Sequence, residues 1–300
     1  MGKPINFRVL AQKIAQEKGY IAILPVLEKE LLHYEILAAL DEARLLESLV
    51  FQGGTSLRLC YGSERMSEDL DFAGGKDFDG RQLSGIKEIL ENAINKRYDV
   101  DVTVHEPKLI SLKQEVGVQP SVNVDCWQIK IVTQRGRPDI PQQKIKFEVA
   151  TIPAHSRNVR PLISNYEELP YGYSSILIPV EEPEEIAADK LLALAVSPYK
   201  RYRDIWDLRW LSVRPRFSKA RLGGLVGKKL EDYHMDENFK EKVKTLLAQL
   251  PSLVHEEAFL NLMRRFLATS IIEKTLEREI FRQHIAEAIE ELYLLVLESL

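Results

Sequence analysis

The sequence predicts an α+β fold, in which a mixed α/β sheet flanked by helices is followed by a helical bundle. Between residues 49 and 178, short apolar or alternating runs typical of strands are interspersed with segments of helical periodicity. From Ser218 to Leu300, apolar residues recur at helical spacing throughout. Helices that alternate with strands favour a layered sheet domain. We therefore expect a sheet domain with N-terminal helices over residues 1–180, and a helical domain over residues 181–300 that completes a cleft with it.

The composition indicates a cytoplasmic globular protein. Of the 300 residues, 45% are hydrophobic and 29% are charged, which is ordinary for such proteins. No apolar run reaches the roughly 18 residues that span a bilayer, and the N-terminus lacks the apolar core of a secretory signal, so no membrane is expected as a partner. Cys60 and Cys126 are too few for a disulfide framework. With a net charge of −4, a nucleic-acid partner would need a local basic patch.

The N-terminal residues 5–48 are predicted to form helices that pack against the sheet. Apolar residues recur at helical spacing from Phe7 to Ala15 and again from Pro25 to Leu49, with a break at residues 18–20. The two segments show no chemical motif.

The stretch from Phe51 to Phe72 carries the clearest signal of a site. An apolar run ends at Gly53-Gly54, a helix-compatible segment follows, and residues 69–73 then alternate as in a strand. Two glycines let the backbone approach a ligand closely, and a helix that begins there presents free N–H groups to an anion. In a strand, Asp69 and Asp71 extend from one face, and the apolar residues between and after them extend from the other.

This pairing of a glycine turn with two aligned carboxylates suits a divalent cation that carries nucleotide phosphates. Mg²⁺, or Mn²⁺ in its place, binds a few carboxylates together with substrate phosphate oxygens. Either half alone has an ordinary explanation, as a turn or as a solvated strand face. Their order along the chain favours a nucleotide site.

At this point the residues resemble the DNA polymerase β-like nucleotidyltransferase superfamily, whose pattern is a hydrophobic residue and Gly-Gly-Ser/Thr followed by two alternating acidic residues. Gly-Gly-Thr-x-Leu-Arg, with Arg65-x-Ser67-x-Asp69-Leu70-Asp71-Phe72, is similar to the AbiEii/AbiGii abortive-infection toxin family. The resemblance implies that residues 1–180 contain the nucleotidyltransferase domain and that Asp69 and Asp71 are catalytic metal ligands. It also implies these nucleotide-binding residues: Gly53, Gly54, Thr55, Arg65 and Ser67.

A third carboxylate is expected on a later strand. After a predicted helix over residues 77–96, strand-like runs are found at residues 100–104, 122–132, 145–150 and 176–178. In the third run Glu148 lies on the polar face, and the resemblance implies that it is the third metal ligand. A solvated face shared with Lys144 and Lys146 is the alternative, and Asp125 is a weaker candidate for the same role.

Two further motifs precede the C-terminal helices. Lys190 lies in a predicted helix over residues 181–196 that matches the family motif x-L-x-x-x-K-x-x-A, and a lysine is a compact cation suited to a triphosphate. The following segment matches R-x-x-K/R-D-x-x-D at Arg203, Asp204 and Asp207. The leading arginine of this motif lies three residues before the Lys/Arg position. Arg201 lies only two residues before Arg203, so its role is left open.

The resemblance implies that Lys190 and Arg203 bind the nucleotide, and that Lys190, Asp204 and Asp207 are catalytic. The two aspartates would orient the nucleotide or accept the proton of the acceptor. The alternative is an intrahelical network, because Lys200–Asp204 and Arg203–Asp207 are both i,i+4 pairs.

A basic segment from Lys200 to Arg221 has eight Lys or Arg residues against two Asp, with aromatic residues between them. It is suited to an RNA backbone with a stacked terminal base. It is equally typical of a helix whose aromatic residues are core.

These features predict a metal-dependent nucleotidyltransferase, of the EC 2.7.7 type, that uses an NTP. The resemblance implies a monomeric toxin of a toxin–antitoxin system, with a tRNA 3′ end as an acceptor and a winged-helix antitoxin as a partner. The alternatives are a small-molecule nucleotidyltransferase of the aminoglycoside type, an enzyme that transfers AMP to protein, and an inactive nucleotide- or partner-binding module.

Overall fold

The computed structural model describes residues 4–107, 122–137, 139–235 and 238–300. Their contacts divide the chain into two compact units. The first consists of Met1–Gly62 and Met66–Val180, and the second consists of Ser63–Arg65 and Glu181–Leu300. The short segment Ser63–Arg65 therefore belongs to the second unit, although the chain on both sides of it belongs to the first.

The first unit is built on a mixed sheet, which confirms the predicted fold class. Within the described residues the sheet has seven strands, in the order β3-β4-β5-β2-β1-β7-β6. Strand β2 pairs antiparallel with β1 and parallel with β5, while β1 also pairs parallel with β7. The strands are β1 (Val50–Gln52), β2 (Leu70–Ala73), β3 (Asp101–His105), β4 (Val124–Val132), β5 (Gln143–Ala150), β6 (Asn158–Pro161) and β7 (Leu177–Val180).

The helices of the first unit largely follow the predicted segments. They are α1 (Phe7–Lys18), α2 (Leu24–Glu42), α3 (Gly53–Tyr61) and α4 (Ile86–Arg97). The Asn6 side chain caps α1 at its N-terminus, and Gly19 ends it in the left-handed conformation. The helix expected over residues 77–96 begins later, because Gly85 adopts a positive φ of 86° between a short 3-10 turn and α4.

One face of the sheet carries an aromatic stack that fixes the direction of the neighbouring side chains. The Phe51 and Phe72 ring centroids lie 4.8 Å apart, those of Phe72 and Phe147 lie 5.0 Å apart, and all three side chains are fully buried. Because side chains alternate along a strand, Asp71 and Glu148 extend from the opposite face.

A buried polar network fastens α3 to α2. Arg58 Nε donates to both carboxylate oxygens of Glu30, at 3.1 and 2.9 Å. The Tyr166 hydroxyl and the Asn165 amide also donate to Glu30, at 2.7 and 3.1 Å. Charge-assisted hydrogen bonds of this kind are among the stronger polar contacts in proteins, so the position of α3 is well defined.

The second unit is helical, as predicted. Its helices are α5 (Pro183–Val196), α6 (Tyr202–Ser212), α7 (Leu222–Tyr233), α8 (Phe239–Leu253), α9 (Glu257–Met263), α10 (Thr269–Lys274) and α11 (Glu279–Ser299). Fully buried Lys229 joins α7 to α5 through ion pairs with Glu185 at 2.8 Å, Asp189 at 3.0 Å and Glu181 at 3.2 Å. In the part of the chain that the structure describes, no helix combines the length and apolar character needed to cross a membrane.

Candidate active site

Polar side chains from four adjacent strands form one row on the face opposite the aromatic stack. Asp71 is in register with Gln52 of β1 on one side and with Glu148 of β5 on the other, and Glu148 is in register with Cys126 of β4. Asp69 lies one residue before β2, and its Oδ1 accepts a hydrogen bond from the Lys146 backbone N–H at 3.1 Å. The row therefore contains the carboxylates that the sequence singled out, together with an amide and a thiol.

The backbone at the start of α3 lies directly against this row. Gly53 is the first residue of the helix and has a φ of 76°. A Cβ atom at this position would lie 2.7 Å from Asp71 Oδ2, well inside normal contact distance. Glycine is thus required both by the backbone conformation and by the neighbouring carboxylate. The glycine turn and the Asp-x-Asp strand were recognised separately in the sequence. They meet where the Gly53 backbone lies against Asp71 Oδ2.

Thr55 and Ser67 are buried beside the same turn. The Thr55 hydroxyl donates to the Asp69 backbone carbonyl, and the residue is 1% exposed. The neighbouring Ser56 hydroxyl donates to the Gly53 carbonyl at 2.8 Å. Thr55 therefore contacts the backbone beside Asp69, and its assignment to the nucleotide stays a prediction.

Two residues of α2, a helix in which the sequence showed no chemistry, hold the segment before β2. Lys29 Nζ lies 2.7 Å from Glu68 Oε1, and His33 Nε2–H donates to the Glu68 carbonyl at 3.0 Å. Burial lowers the pKa of His33 to about 4, so its imidazole is neutral near pH 7. The i,i+4 spacing of the two residues was the only sequence signal, and it is too common to identify such a role.

Glu148 shares the row with two neighbours that affect its chemistry. Lys146 Nζ lies 3.3 Å from Glu148 Oε1, and the carboxylate charge raises the pKa of Lys146. Burial and the same carboxylate raise the pKa of Cys126 to about 11, so its thiol is protonated near pH 7.

Asp125, the weaker candidate for the third carboxylate, is on the wrong face of the sheet. It is in register with Val149, whose side chain is fully buried, and not with Glu148. A Cβ atom on Gly80 would lie 2.7 Å from Asp125 Oδ2, which places that carboxylate against the Gly80 backbone.

The row fits a hard divalent cation. Its acidic members, Asp69, Asp71 and Glu148, supply oxygen ligands, which Mg²⁺ and Mn²⁺ prefer. The Gln52 Oε1 atom is buried and has no hydrogen-bond partner among the described residues. In the same described ranges, no three His, Cys, Asp or Glu side chains are already grouped closely enough to hold a metal ion. A cation at this row would therefore take further oxygen ligands from a bound nucleotide, as Mg²⁺ commonly does.

The remaining predicted residues form a second, buried cluster within the helical unit. Arg65 donates from Nε and Nη2 to the two carboxylate oxygens of Asp207, both at 2.7 Å. Lys190 Nζ lies 2.8 Å from Asp207 Oδ2 and 2.8 Å from Asp204 Oδ1. All four residues are at least 90% buried. The bidentate contact of Arg65 with Asp207, and the bridge that Lys190 forms between Asp207 and Asp204, bring together residues of three separate sequence motifs.

The charges of this cluster stabilise one another. Burial opposes the ionisation of Asp207, but Arg65 and Lys190 outweigh it and lower its pKa to about 2. Burial likewise opposes the charge on Lys190, and the carboxylates of Asp204 and Asp207 nevertheless raise its pKa. Asp207 and Lys190 are therefore held in their charged forms at neutral pH.

The flanking basic residues differ from the intrahelical network considered for this segment. Lys200 lies before the start of α6 and pairs with Glu256, at 2.6 Å, and not with Asp204. Arg201 pairs with Asp204, which answers the question left open by its register. The Arg203 guanidinium lies over the Phe266 ring, 5.3 Å from its centroid, and the Arg65 guanidinium lies 6.0 Å from the same centroid.

A comparison with protein families identifies the chain. The family described as nucleotidyl transferase AbiEii toxin, type IV TA system, matches residues 35–291. The chain belongs to the AbiEii nucleotidyltransferase toxin family. The match extends over both units and includes every predicted site residue.

Solved structures support the fold of this AbiEii-family chain. MenT4, a nucleotidyltransferase toxin from Mycobacterium tuberculosis H37Rv, is 17% identical, with a TM-score of 0.56 over 96% of this chain and 98% of its own. JHP933 from Helicobacter pylori is 20% identical, with a TM-score of 0.52 over 91% of this chain and 94% of its own. A search of curated proteins found no significant match.

In this AbiEii-family chain the predicted site residues thus fall into two groups, one in each unit. The first group is the row on the sheet with the start of α3, and its members are Gly53, Gly54, Thr55, Ser67, Asp69, Asp71 and Glu148. The second group, in the helical unit, is the buried cluster of Arg65, Lys190, Asp204 and Asp207, together with half-buried Arg203. Sequence reasoning missed Gln52, the last residue of β1, which immediately precedes the glycine pair. Its position on the same face of the sheet as Asp71 could have identified it.

Proposed function

We propose that this protein is the toxin of a toxin–antitoxin pair, and that it transfers a nucleoside monophosphate from an NTP to an acceptor hydroxyl with Mg²⁺ or Mn²⁺. The observation that carries the proposal is the contact between Gly53 and Asp71. It joins a helix start, which attracts phosphate, to a carboxylate row that suits a divalent cation. Membership of the AbiEii family supports the same activity.

In this proposal the two parts of the row have separate tasks. Asp69, Asp71 and Glu148 hold the cation, and the backbone N–H groups at Gly53 and Gly54 receive the phosphates. When bound, the cation neutralises phosphate charge and polarises the reacting phosphoryl group. Thr55, Lys29 and His33 keep the segment with Asp69 in place through Asp69 and Glu68.

The chemical step is an in-line displacement at the α-phosphorus. The acceptor oxygen forms a bond to that phosphorus, and the bond from phosphorus to the bridging oxygen of the β-phosphate breaks. Pyrophosphate leaves with the electron pair, and the hydroxyl proton passes to solvent water. Positioning and charge stabilisation account for most of the catalysis in such reactions, so the protein does not need a strong base.

Asp204 and Asp207 act as positioning residues in this scheme. Both are buried and bonded to cations, and the pKa of Asp207 is lowered to about 2. A carboxylate in this state is a weak proton acceptor. Its effect is to hold Lys190 and Arg65 in defined positions.

The acceptor proposed here is the 3′ end of a tRNA, and the proposed partner is a cognate antitoxin. Incubation with a divalent metal, each α-³²P-labelled NTP in turn and total tRNA tests the reaction, with an Asp69→Asn protein alongside. We expect label on tRNA from one preferred nucleotide, and none in the variant. Transfer RNA whose terminal 2′,3′-diol has been oxidised should accept none. Label on oxidised tRNA would exclude the 3′ end, and label on protein would replace tRNA by a protein acceptor.

Replacing Gly53 with Ala should lower nucleotidyl transfer by roughly 100-fold, because the added methyl group displaces the Asp71 carboxylate. Gly75→Ala is the matched control, since Gly75 also has a positive φ, of 87°, but has open space where its Cβ would lie. Both variants should lose about 1 kcal/mol of stability from backbone strain. Steady-state kinetics and urea unfolding separate the two effects. Equal activity in the two variants would show that the contact with Asp71 is unimportant.

A further inference from the structure

The helical unit contains a cavity that the transfer reaction does not use. Its volume is about 370 Å³, which lies within the range of small-molecule sites. One wall is the helical stripe of Trp206, Arg209, Trp210 and Val213, which are spaced i, i+3, i+4 and i+7 and therefore share a face of α6 and its end. Phe281, from α11, contributes a further aromatic ring, and its centroid lies 6.2 Å from that of Trp206.

The two indole rings of this cavity have unused hydrogen-bond donors. Trp206 is 5% exposed and Trp210 is 8% exposed. Neither Nε1 atom has a hydrogen-bond partner among the described residues. Buried N–H groups are normally satisfied, because an unpaired donor keeps the cost of its desolvation. Both Nε1 atoms are also shielded from solvent, so a ligand in the cavity would contact the indole rings and not these donors.

The charges that line the cavity favour an anion. The Arg209 guanidinium lies 5.5 Å from the centroid of the Phe281 ring, and among the described residues no carboxylate forms an ion pair with it. Lys274 adds a second cation to the lining, and Glu64 is the single carboxylate among the lining residues that the structure describes. The cavity therefore combines aromatic walls with a net positive lining.

We propose that this cavity binds one nucleotide, with the base against the aromatic rings and the phosphate on Arg209 and Lys274. A nucleobase has a flat face for stacking on indole and phenyl rings. A phosphate pairs well with a guanidinium. The site shares no residue with the row of Asp69, Asp71 and Glu148, so it is additional to the proposed transfer reaction. A free mononucleotide and the end of a single-stranded RNA provide the same groups.

Tryptophan fluorescence tests the proposal directly. The chain has three tryptophans, and Trp127→Phe removes the one outside the cavity, so that the signal comes from Trp206 and Trp210. The full-length protein is titrated with AMP, CMP, GMP and UMP, and separately with a short single-stranded oligoribonucleotide, without metal or NTP. Stacking should quench the fluorescence and give a dissociation constant for each probe. Quenching by mononucleotides alone identifies a free nucleotide as the ligand, and quenching by the oligonucleotide alone identifies a strand end.

Variants distinguish the cavity from general electrostatic attraction. Arg209→Gln and Lys274→Gln should each weaken binding about 10-fold. Trp210→Leu, which keeps an apolar side chain and removes the flat ring, should weaken it by a similar factor. Lys219→Gln is the matched control for charge, since Lys219 belongs to the same basic segment but pairs with Glu291 outside the cavity. Binding that is absent, or that Arg209→Gln and Lys219→Gln weaken equally, would overturn the proposal. Because no transfer is needed, a protein that fails the tRNA assay still gives a decisive result here.

Discussion

Asp71→Asn is expected to lower nucleotidyl transfer by about 1,000-fold or more while the fold remains stable. Asp71 lies at the centre of the carboxylate row, in register with Glu148 and against the start of α3 at Gly53. The amide keeps the shape of the side chain but removes the charge that would hold a divalent cation, whose contribution to such reactions is several kcal/mol. A loss of about 4 kcal/mol in the transition state corresponds to this factor. Single-turnover transfer of labelled nucleotide is the appropriate measurement.

The controls for this prediction come from the same unit. Asp77→Asn changes an exposed aspartate six residues later and should leave transfer within twofold of the original rate. Glu148→Gln should also lower transfer strongly if that residue is the third metal ligand, and only slightly if it merely pairs with Lys146 on a solvated face. An Asp71→Asn protein that kept its activity would exclude the carboxylate row as the catalytic centre.

Asp207→Asn should reduce the free energy of unfolding by about 3–5 kcal/mol, which is the effect of removing one partner from a buried ion pair. Asp207 is 1% exposed and binds both Arg65 and Lys190, so the substitution leaves two buried cations with less compensation. Urea unfolding at pH 7 measures the change. Glu241→Gln in the exposed pair with Lys244 is the matched control and should change stability by less than about 0.5 kcal/mol. Similar values for the two variants would contradict the buried cluster.

The same residue should give stability a defined dependence on acid. The pKa of Asp207 falls from an ordinary 3.8 to about 2 in the folded protein, so its stabilising effect is fully present above about pH 4. That effect is lost as the pH falls through 2, because the folded form then also binds the proton. At 1.36 kcal/mol per pKa unit, this shift contributes roughly 2 kcal/mol to the free energy of unfolding. The unfolding free energy between pH 5 and pH 2 should therefore fall less steeply in Asp207→Asn, and parallel curves for the two proteins would refute the linkage.

Local patterns were enough to predict most strands of the sheet and the carboxylates of the row. The alternation through Leu70, Asp71 and Phe72 fixed which side chains share a face, and the structure places Phe72 in the aromatic stack and Asp71 opposite to it. Strand β6 was not predicted, because Asn158–Pro161 is a short, mostly exposed edge strand without apolar alternation.

Long-range partners were beyond the reach of the sequence. Arg65 and Asp207 are 142 residues apart, and no periodicity relates them. For Asp204 and Asp207, i,i+4 spacing suggested partners on their own helix. Lys200 is not available to Asp204, because α6 begins at Tyr202, after Lys200, and Lys200 pairs with Glu256. Trp206 and Trp210 are buried, as in a core, and both also line a cavity, while ligand stacking stays a prediction.

The placement of Ser63–Arg65 in the helical unit has a consequence for how such proteins are inherited and engineered. The chain passes between the two units after Gly62, after Arg65 and after Val180, so a single crossover in the gene cannot exchange one unit intact. A chimaera joined at residue 180 would keep Arg65 from one parent and take Asp207 and Lys190 from the other. Recombination between relatives would therefore succeed only where both parents supply matching charges. The two structural units would then be inherited together.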